Sequence, residues 1–445
     1  MTACCEQVTF SFHPCKEVIA DFQGGQISSD AGLLSVIDLD HRLGWTAQVA
    51  EVLDDSREAG KVEHDLTQLV RQRLFGLVAG YEDCNDHTRL RDDPILKVAA
   101  GKPLQKPLAS QPTLGRLENA VTAREVAHLN RLLVEQFIQV HGERPKQRLV
   151  LDIDPTADPC HGHQQLALFN GFYGQYMYLP LLVYERESGM LLGVRLQSGN
   201  AFPAARAVQL LGPIMRRLRK QWPQARIIVR GDASFGCPQM YRFCESNGLG
   251  YIFGLKATNP LKERTDWALA WVKERLQRTG EPQRHVGGLR YQAGSWTHAR
   301  RILYKVEANA EGTNRRFGIT NLLGLSADLW PLYNDRGTAE TFIDDFKNGL
   351  KMDRLSCKRF VANAFRLVLT ALAYNLMRVF RGALVGTELE AASIETIRSR
   401  LLKIGARVRQ TVRRIWVHLS SAFPLREVLA RVTAAVRRLS PLAPT

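Results

Sequence analysis

The sequence predicts an α/β fold, a mixed sheet interrupted by a β-rich insertion, with helical regions at both ends. Three observations predict it. Apolar positions keep helical spacing to about residue 145 and then change to short strand-like runs. From 148 to 255 those runs follow the order β-β-β-α-β-α-β. Beyond residue 391 the chain reads as helical and strongly basic.

Element by element, Ser28, Ser29 or Asp30 can cap a short helix through Ile37. Leu66, Leu69, Val70, Leu74, Leu77 and Val78 recur at helical spacing, predicting a helix over 65–81 that ends at Gly80. The polar run EDCNDHTRLRDD after it reads as a solvated loop. A third helix is expected over 113–141, after Ser110 and Pro112. Arg71, Arg73, Arg116, Arg124 and Arg131 could meet phosphates, although surface charge is the simpler reading of each.

At Gln147 the period changes. RLVLDID is a strand whose alternation puts Asp152 and Asp154 on one side, and Pro155 and Thr156 end it. Strands over 176–184 and 190–197 follow, joined by a hairpin with Ser188 and Gly189 in the turn. A helix over 203–220 leads to RIIVRGD, nearly all apolar and so buried in the sheet, with Asp232 at its end. A helix over 237–245 and a strand over 251–255 complete the series. This is the order of a ribonuclease H-like core, in which the first and fourth strands are neighbours, so Asp154 and Asp232 should converge. Residues 256–316, rich in Lys, Arg, Trp and Gly, read as an insertion domain with a helix near 261–278 and the strand RRILYKVEA. RFGITNL then returns to the core. The apolar helix expected over 360–380 contains Asn363, Arg366 and Asn375, which suits a core or a dimer face better than a membrane.

The formal charge of +16 and pI near 9.7 predict a polyanionic partner, most simply nucleic acid. In residues 391–445 eleven Arg and Lys side chains stand against Glu395 and Glu427, the pattern of a DNA-contacting or assembly arm. MTACCEQVTF lacks a basic n-region and a long apolar stretch, so no export signal is expected and the protein is expected in the cytoplasm. The cysteines form no CxxC pair, and Cys160, His161 and His163 have no second cluster to complete a zinc site.

The segment YNDRGTAETFIDDFK carries the densest chemistry. As one helix at about 100° per residue, Tyr333, Arg336, Glu340 and Lys347 share a stripe roughly 60° wide. Ile343, Phe346 and Leu350 form the buried side. A carboxylate between two cations suits metal-assisted phosphoryl transfer, the acid holding a divalent ion and the cations the phosphates. A solvated helix with ordinary ion pairs would show the same spacing.

With Asp154 in LDIDPT, Asp232 in VRGDASF and Y-x2-R-x3-E-x6-K at 333–347, the chain resembles the DDE transposases of bacterial insertion sequences. LDIDPT, QISSDAGLL and HDLTQLVRQRLFGLVAGYEDCNDHTRLRDDP resemble the insertion-sequence 1380 family, over nearly the whole chain. Asp152 competes with Asp154 for the first acid. Asp154 is preferred because it ends the strand in the family's D-x-T context.

The resemblance implies Asp154, Asp232 and Glu340 as catalytic residues and ligands of two Mg²⁺ ions, with Mn²⁺ a possible substitute. It implies phosphate contacts from Tyr333, Arg336 and Lys347, and cleavage at the element ends followed by joining of the 3′-OH to target DNA. Relatives hold a flipped base on an aromatic residue of the insertion domain, and Trp296 is the candidate here. Partners implied are the double-stranded inverted repeats, target DNA and a second copy of the chain, as a homodimer associated with the nucleoid. The expected division is 1–145, a helical DNA-binding region; 146–255 and 317–382, the two parts of the core; 256–316, the insertion; and 383–445, a basic helical region. A transposon-derived DNA-binding protein without cleavage activity, or another ribonuclease H-like nuclease, are the alternatives.

Overall fold

The computed structural model describes residues 7–439. Cys4, Cys5, most of the run that argued against an export signal, and the last residues of the basic tail lie outside them. The chain forms two compact units. One comprises Met1–Val121, Asn348–Arg354 and Leu376–Thr445; the other comprises Thr122–Lys347 and Leu355–Asn375.

The first unit does not begin with a helix. Strands β1 (Val8–Phe10) and β2 (Val18–Ala20) pair antiparallel, and β3 (Ile27–Ser28) precedes the first helix, Leu33–Leu43. Of the residues expected as helix caps, Ser28 therefore ends an extended segment and Ser29 and Asp30 follow it, and Gly32 takes the cap position. The helix Leu66–Ala79 forms as its periodicity demands, capped by Asp65 accepting from the Gln68 amide and closed by Gly80 at φ +90°. Its Arg73 is not a surface cation: it is 2% exposed and bonds Glu118 at 2.9 Å. The run expected as solvated loop is also folded. Asp83 and Asp86 form a reciprocal cap on a 3-10 turn, Cys84–Asp86, and His87 starts a further helical turn with its ring fully buried.

His87 gives this unit an acid sensitivity. Burial, with Arg73 nearby, pushes its pKa down to about 3. The folded state thus keeps the ring neutral, while the unfolded chain takes up a proton near pH 6.5. Stability is complete above that pH and falls as pH drops, by ~2 kcal/mol at pH 5 from this group alone. We expect His87→Asn to flatten the fall of the melting temperature between pH 7.5 and 5, read by thermal unfolding across that range.

The second unit holds the main sheet. Its first helix, expected over 113–141, is in fact split across the boundary into Gln111–Ala120 and Ala123–His141, with Thr122 capping the latter. Strands follow as β4 (Arg148–Pro155), β5 (Asp158–Pro159), β6 (Leu168–Asn170), β7 (Gln175–Tyr178), β8 (Leu181–Glu185), β9 (Leu191–Arg195), β10 (Arg226–Gly231), β11 (Gly250–Leu255), β12 (Gln283–Tyr291), β13 (Arg300–Asn309) and β14 (Gly312–Thr320). The run 176–184 is therefore two strands, broken at Leu179 and Pro180: β7 belongs to a small sheet β5-β7-β6, and β8 to the large one.

The large sheet has the order β12-β13-β14-β11-β10-β4-β8-β9. Strands β4, β10 and β11 are parallel, and β8 and β9 are antiparallel additions on one side. The hairpin between β8 and β9 turns at Gly189, φ +67°. The expected insertion is continuous with the core: β12, β13 and β14 extend the same sheet through β11. Its helix is two, Asn259–Glu263 and Asp266–Thr279.

Alternation along β4 and β10 puts Val150 and Ile228 on one face, where they join Ile252, Leu303, Leu329 and Trp330 in one apolar cluster. Leu329 and Trp330 come from the helix Ser326–Asn334, which thereby covers that face. By the same alternation Asp152, Asp154 and Arg230 point to the covered face. The start of the apolar helix Phe360–Gly382 also belongs to this unit. Its Asn375 side chain bonds both the amide and the carbonyl of Leu191, and 83% of its most apolar window is buried, as a core helix requires.

The tail of the first unit is not all helical. After Ile394–Ile397, strands β15 (Ala406–Gln410) and β16 (Ile415–Leu419) form a hairpin, then the helix Arg426–Arg438. Ala406 and Val408 point inward and Arg407 and Arg409 outward, so the arginines mark one face of a strand. Strand β15 pairs with β3, Ala406 opposite Ser28.

Candidate active site

The parallel pair β4–β10 sets the two aspartates. Arg230 lies opposite Asp152 and Gly231 opposite Ile153. One step further along the same register brings Asp232 beside Asp154, at the roughly 5 Å spacing of neighbouring strands. Asp232 then caps a 3-10 turn, its Oδ1 accepting from the amide and hydroxyl of Ser234.

The segment expected as one helix is three pieces. Tyr333 lies in the last turn of the helix Ser326–Asn334, Asp335 and Arg336 form a tight turn, and Gly337–Asp344 is a second helix, continued by a π turn over Asp345–Gly349. The bonds Arg336 to Tyr333, Thr338 to Asp335 and Ala339 to Arg336 span three residues, so this stretch is overwound, while the π turn after it is underwound. Phe346 and Leu350 are buried as the apolar side predicts, while Ile343 is only half-buried and Phe342, not assigned to that side, is buried.

The turn is anchored by residues the sequence did not single out. Arg230, fully buried, holds Asp152 through two bonds of 2.6 and 2.7 Å. It also donates to the Leu332 carbonyl at 2.5 Å and to Asp335 at 3.1 Å. Arg186 grips both oxygens of Asp335 at 2.5 and 2.6 Å. These donors, Arg186 first and Arg230 with it, hold the Asp335 carboxyl down to about 2. Asp152 is thereby committed to a structural ion pair, whereas Asp154 is turned to the site. Pairings across such sequence distances leave no local signal; only the shared alternation of Asp152 and Asp154 hinted at one.

Arg336, next in the chain, donates to Asp154 Oδ2 at 2.5 Å. Burial pushes the Asp154 pKa up to about 7, with Asp232, Asp152 and Glu340 adding to the rise and Arg336 opposing it. Asp154 is therefore within the field of both Asp232 and Glu340. Glu340 itself is exposed. A cavity of about 350 Å³ lies beside them, lined among others by Ala233, Gly254, Arg316, Tyr333, Arg336 and Glu340. Gly254 leaves room for it: a Cβ there would stand 2.7 Å from the Tyr333 hydroxyl and from the Ala233 amide nitrogen. Arg316, exposed on β14, adds a cation that the sequence reading passed over.

Of the expected site residues, Tyr333, Arg336 and Glu340 line one cavity, Arg336 bonds Asp154, and Asp232 follows the strand paired with that of Asp154. Lys347 lies beyond the π turn's start and donates to the Ala157 carbonyl at 2.7 Å, tying down the chain that leaves β4. Trp296 does not fit a stacking role. It is 8% exposed and packed edge-on against Tyr241 and Tyr291 with Arg300 alongside, so no open ring face is offered.

The donor chemistry of the three acids suits a hard divalent cation. Burial, and with it the neighbouring carboxylates, raises the pKa of Asp154, and a bound cation would offset both. Among the described residues no three carboxylates, histidines or cysteines already converge on one point. Asp154 is instead neutralised by Arg336.

No curated protein matches the chain. Among solved structures it is similar to the piggyBac transposase synaptic complex with hairpin DNA, at 11% identity and a TM-score of 0.39, covering 94% of this chain and 87% of that one. It is also similar to the Mos1 transposase paired-end complex with left transposon end, at 15% identity and a TM-score of 0.18, covering 50% of this chain and 68% of that one. The family described as "Transposase DDE domain group 1" matches residues 10–441. The chain belongs to that family and is a DDE transposase.

Proposed function

We propose that the protein binds the terminal inverted repeats of an insertion sequence of the 1380 family, cuts the DNA at their ends and joins the freed 3′-OH to target DNA. The observation that carries this reading is the parallel register of β4 and β10, which runs to Ile153 opposite Gly231 just before Asp154 and Asp232, with Arg336 on the turn and Glu340 on the helix that follow. The strand order supports a ribonuclease H-like core: a central strand, β4, with two antiparallel strands on one side and two parallel strands on the other.

Asp154, Asp232 and Glu340 are the residues that would hold Mg²⁺. When bound, the metal supplies an activated water or 3′-OH and stabilises the leaving oxygen. The chain's own part is positioning. Arg336 now neutralises Asp154, and its guanidinium is placed to exchange that carboxylate for a DNA phosphate, as a planar fork suits. Tyr333, at the cavity wall, offers its hydroxyl to a second phosphate oxygen. Lys347 and Arg316 add positive charge along the approach. The basic surplus of the tail suits the sequence-independent grip on duplex DNA, and joining two ends calls for two copies of the chain, a homodimer at the nucleoid.

The test is incubation of the purified protein with a labelled element-end duplex and a target plasmid, with and without Mg²⁺. Cutting at the end together with covalent joining to the plasmid is expected. Cutting without joining would reduce the protein to a nuclease, and tight binding without either would make it a silent DNA-binding protein.

A further inference from the structure

The segment between β4 and β8 takes no part in the acid site as described, yet it leaves β4 just past Asp154. It folds into the small sheet β5-β7-β6 and turns its aromatic rings outward. Phe172 is 89% exposed, Tyr176 61%, Phe169 52% and Tyr173 43%. The rings form two edge-to-face pairs, Phe169 with Tyr176 at 5.5 Å and Phe172 with Tyr173 at 4.9 Å. The exposure is not fraying. Asn170 Oδ1 accepts from the amides of Phe172 and Tyr173, its Nδ2 donates to the Gly199 carbonyl at 2.6 Å, and Gly174 at φ +67° closes the tip.

The hairpin is tied to the site and is electrostatically suited to a polyanion. Lys347 holds its root at Ala157, and the Gln165 amide donates to the carbonyl of Lys358, whose side chain is exposed beside that of Arg359. No Asp or Glu occurs from Pro159 through Tyr184.

We propose that this hairpin is a stacking site for unpaired DNA bases beside the cut, an inference that rests on the DNA-cutting reading above. Aromatic faces accept any base, because every base has a π-face, and the neighbouring cations meet the intervening phosphates. An aliphatic protein-docking face would have no need of four rings, and a carboxylate-free stretch beside three catalytic acids suits a strand that must come close to them.

The test uses the full-length protein in Ca²⁺, with two fluorescent probes: a fully paired element-end duplex, and the same duplex with four unpaired nucleotides at the cut position. The parent protein should bind the unpaired probe about tenfold or more tightly than the paired one. Phe172→Ala with Tyr173→Ala should erase that preference with a much smaller effect on the paired probe, and Phe172→Trp should keep it. A parent without the preference overturns the inference while leaving duplex binding intact. A parent that binds neither probe overturns the DNA-cutting reading with it. Equal weakening of both probes by the double variant, or a shift in its oligomeric state by sedimentation with the preference unchanged, also overturns it, the latter marking the face as a contact between copies.

Discussion

Asp232→Asn and Glu340→Gln are each expected to lower end cleavage by on the order of a thousandfold or more, with duplex binding retained. The reasoning separates chemistry from folding. Glu340 is exposed, and Asp232 accepts the local bonds of Ser234, which an amide oxygen can also accept. Neither change leaves a buried charge without its partner. Asp154→Asn should be equally inactive but more stable than the parent at neutral pH. Its carboxyl, raised to about 7, gains charge in the folded state only at a cost. The unfolded chain ionises near 3.8, so ionising Asp154 lowers stability progressively as pH rises between those values. Cleavage rates and melting curves on the same three preparations would check both halves. A Glu340→Gln enzyme that cuts at the parent's rate would remove the third acid from the site.

Arg230→Met should cost about 3–5 kcal/mol, the usual penalty for leaving a buried charge alone. Asp152 is 1% exposed and would lose the guanidinium that offsets the burial of its carboxyl. Replacing both residues by apolar ones, Asp152→Leu with Arg230→Met, should recover most of that loss, since an apolar pair of similar size is often no worse than the ion pair. Activity should not recover. The bonds from Arg230 to Leu332 and Asp335 fix the turn that carries Arg336, and they are gone in both variants. Denaturant unfolding and end cleavage on the single and double variants would separate the two effects. Recovery of cleavage together with stability would mean that Arg186 alone can hold the turn.

The core of the second unit was legible because period-2 runs with turn residues between them leave few alternatives. The hairpin over 181–195 and the buried strand ending at Asp232 needed nothing beyond that. Spacing also singled out Tyr333, Arg336 and Glu340, which line one cavity even though the single helix assumed for them does not exist. An overwound turn followed by an underwound one is invisible to a fixed 100° step. Arg230, Asp335 and Arg186 were not legible, because their pairing is decided by strand register and not by local pattern. The hairpin β15–β16 was hidden by its own composition: in RVRQ alternation was present, but the density of arginine suggested a helical arm. Trp296 was misjudged because a lone Trp in a Gly-rich segment looks the same whether its ring is packed or presented.

The pairing of β3 with β15 has a consequence for biosynthesis. Ser28 leaves the ribosome long before Ala406 is made, so the first unit cannot close until nearly the whole message is read. The second unit has all its strands by Thr320 and its last piece by Asn375. The nascent chain thus completes the unit bearing the acids first, while its own N-terminal segment waits for a partner, and contacts so distant in sequence form slowly. A message truncated between those points would yield a polypeptide with the large sheet and its acids assembled and the other unit still open. Premature stop codons along this gene are therefore not equivalent lesions.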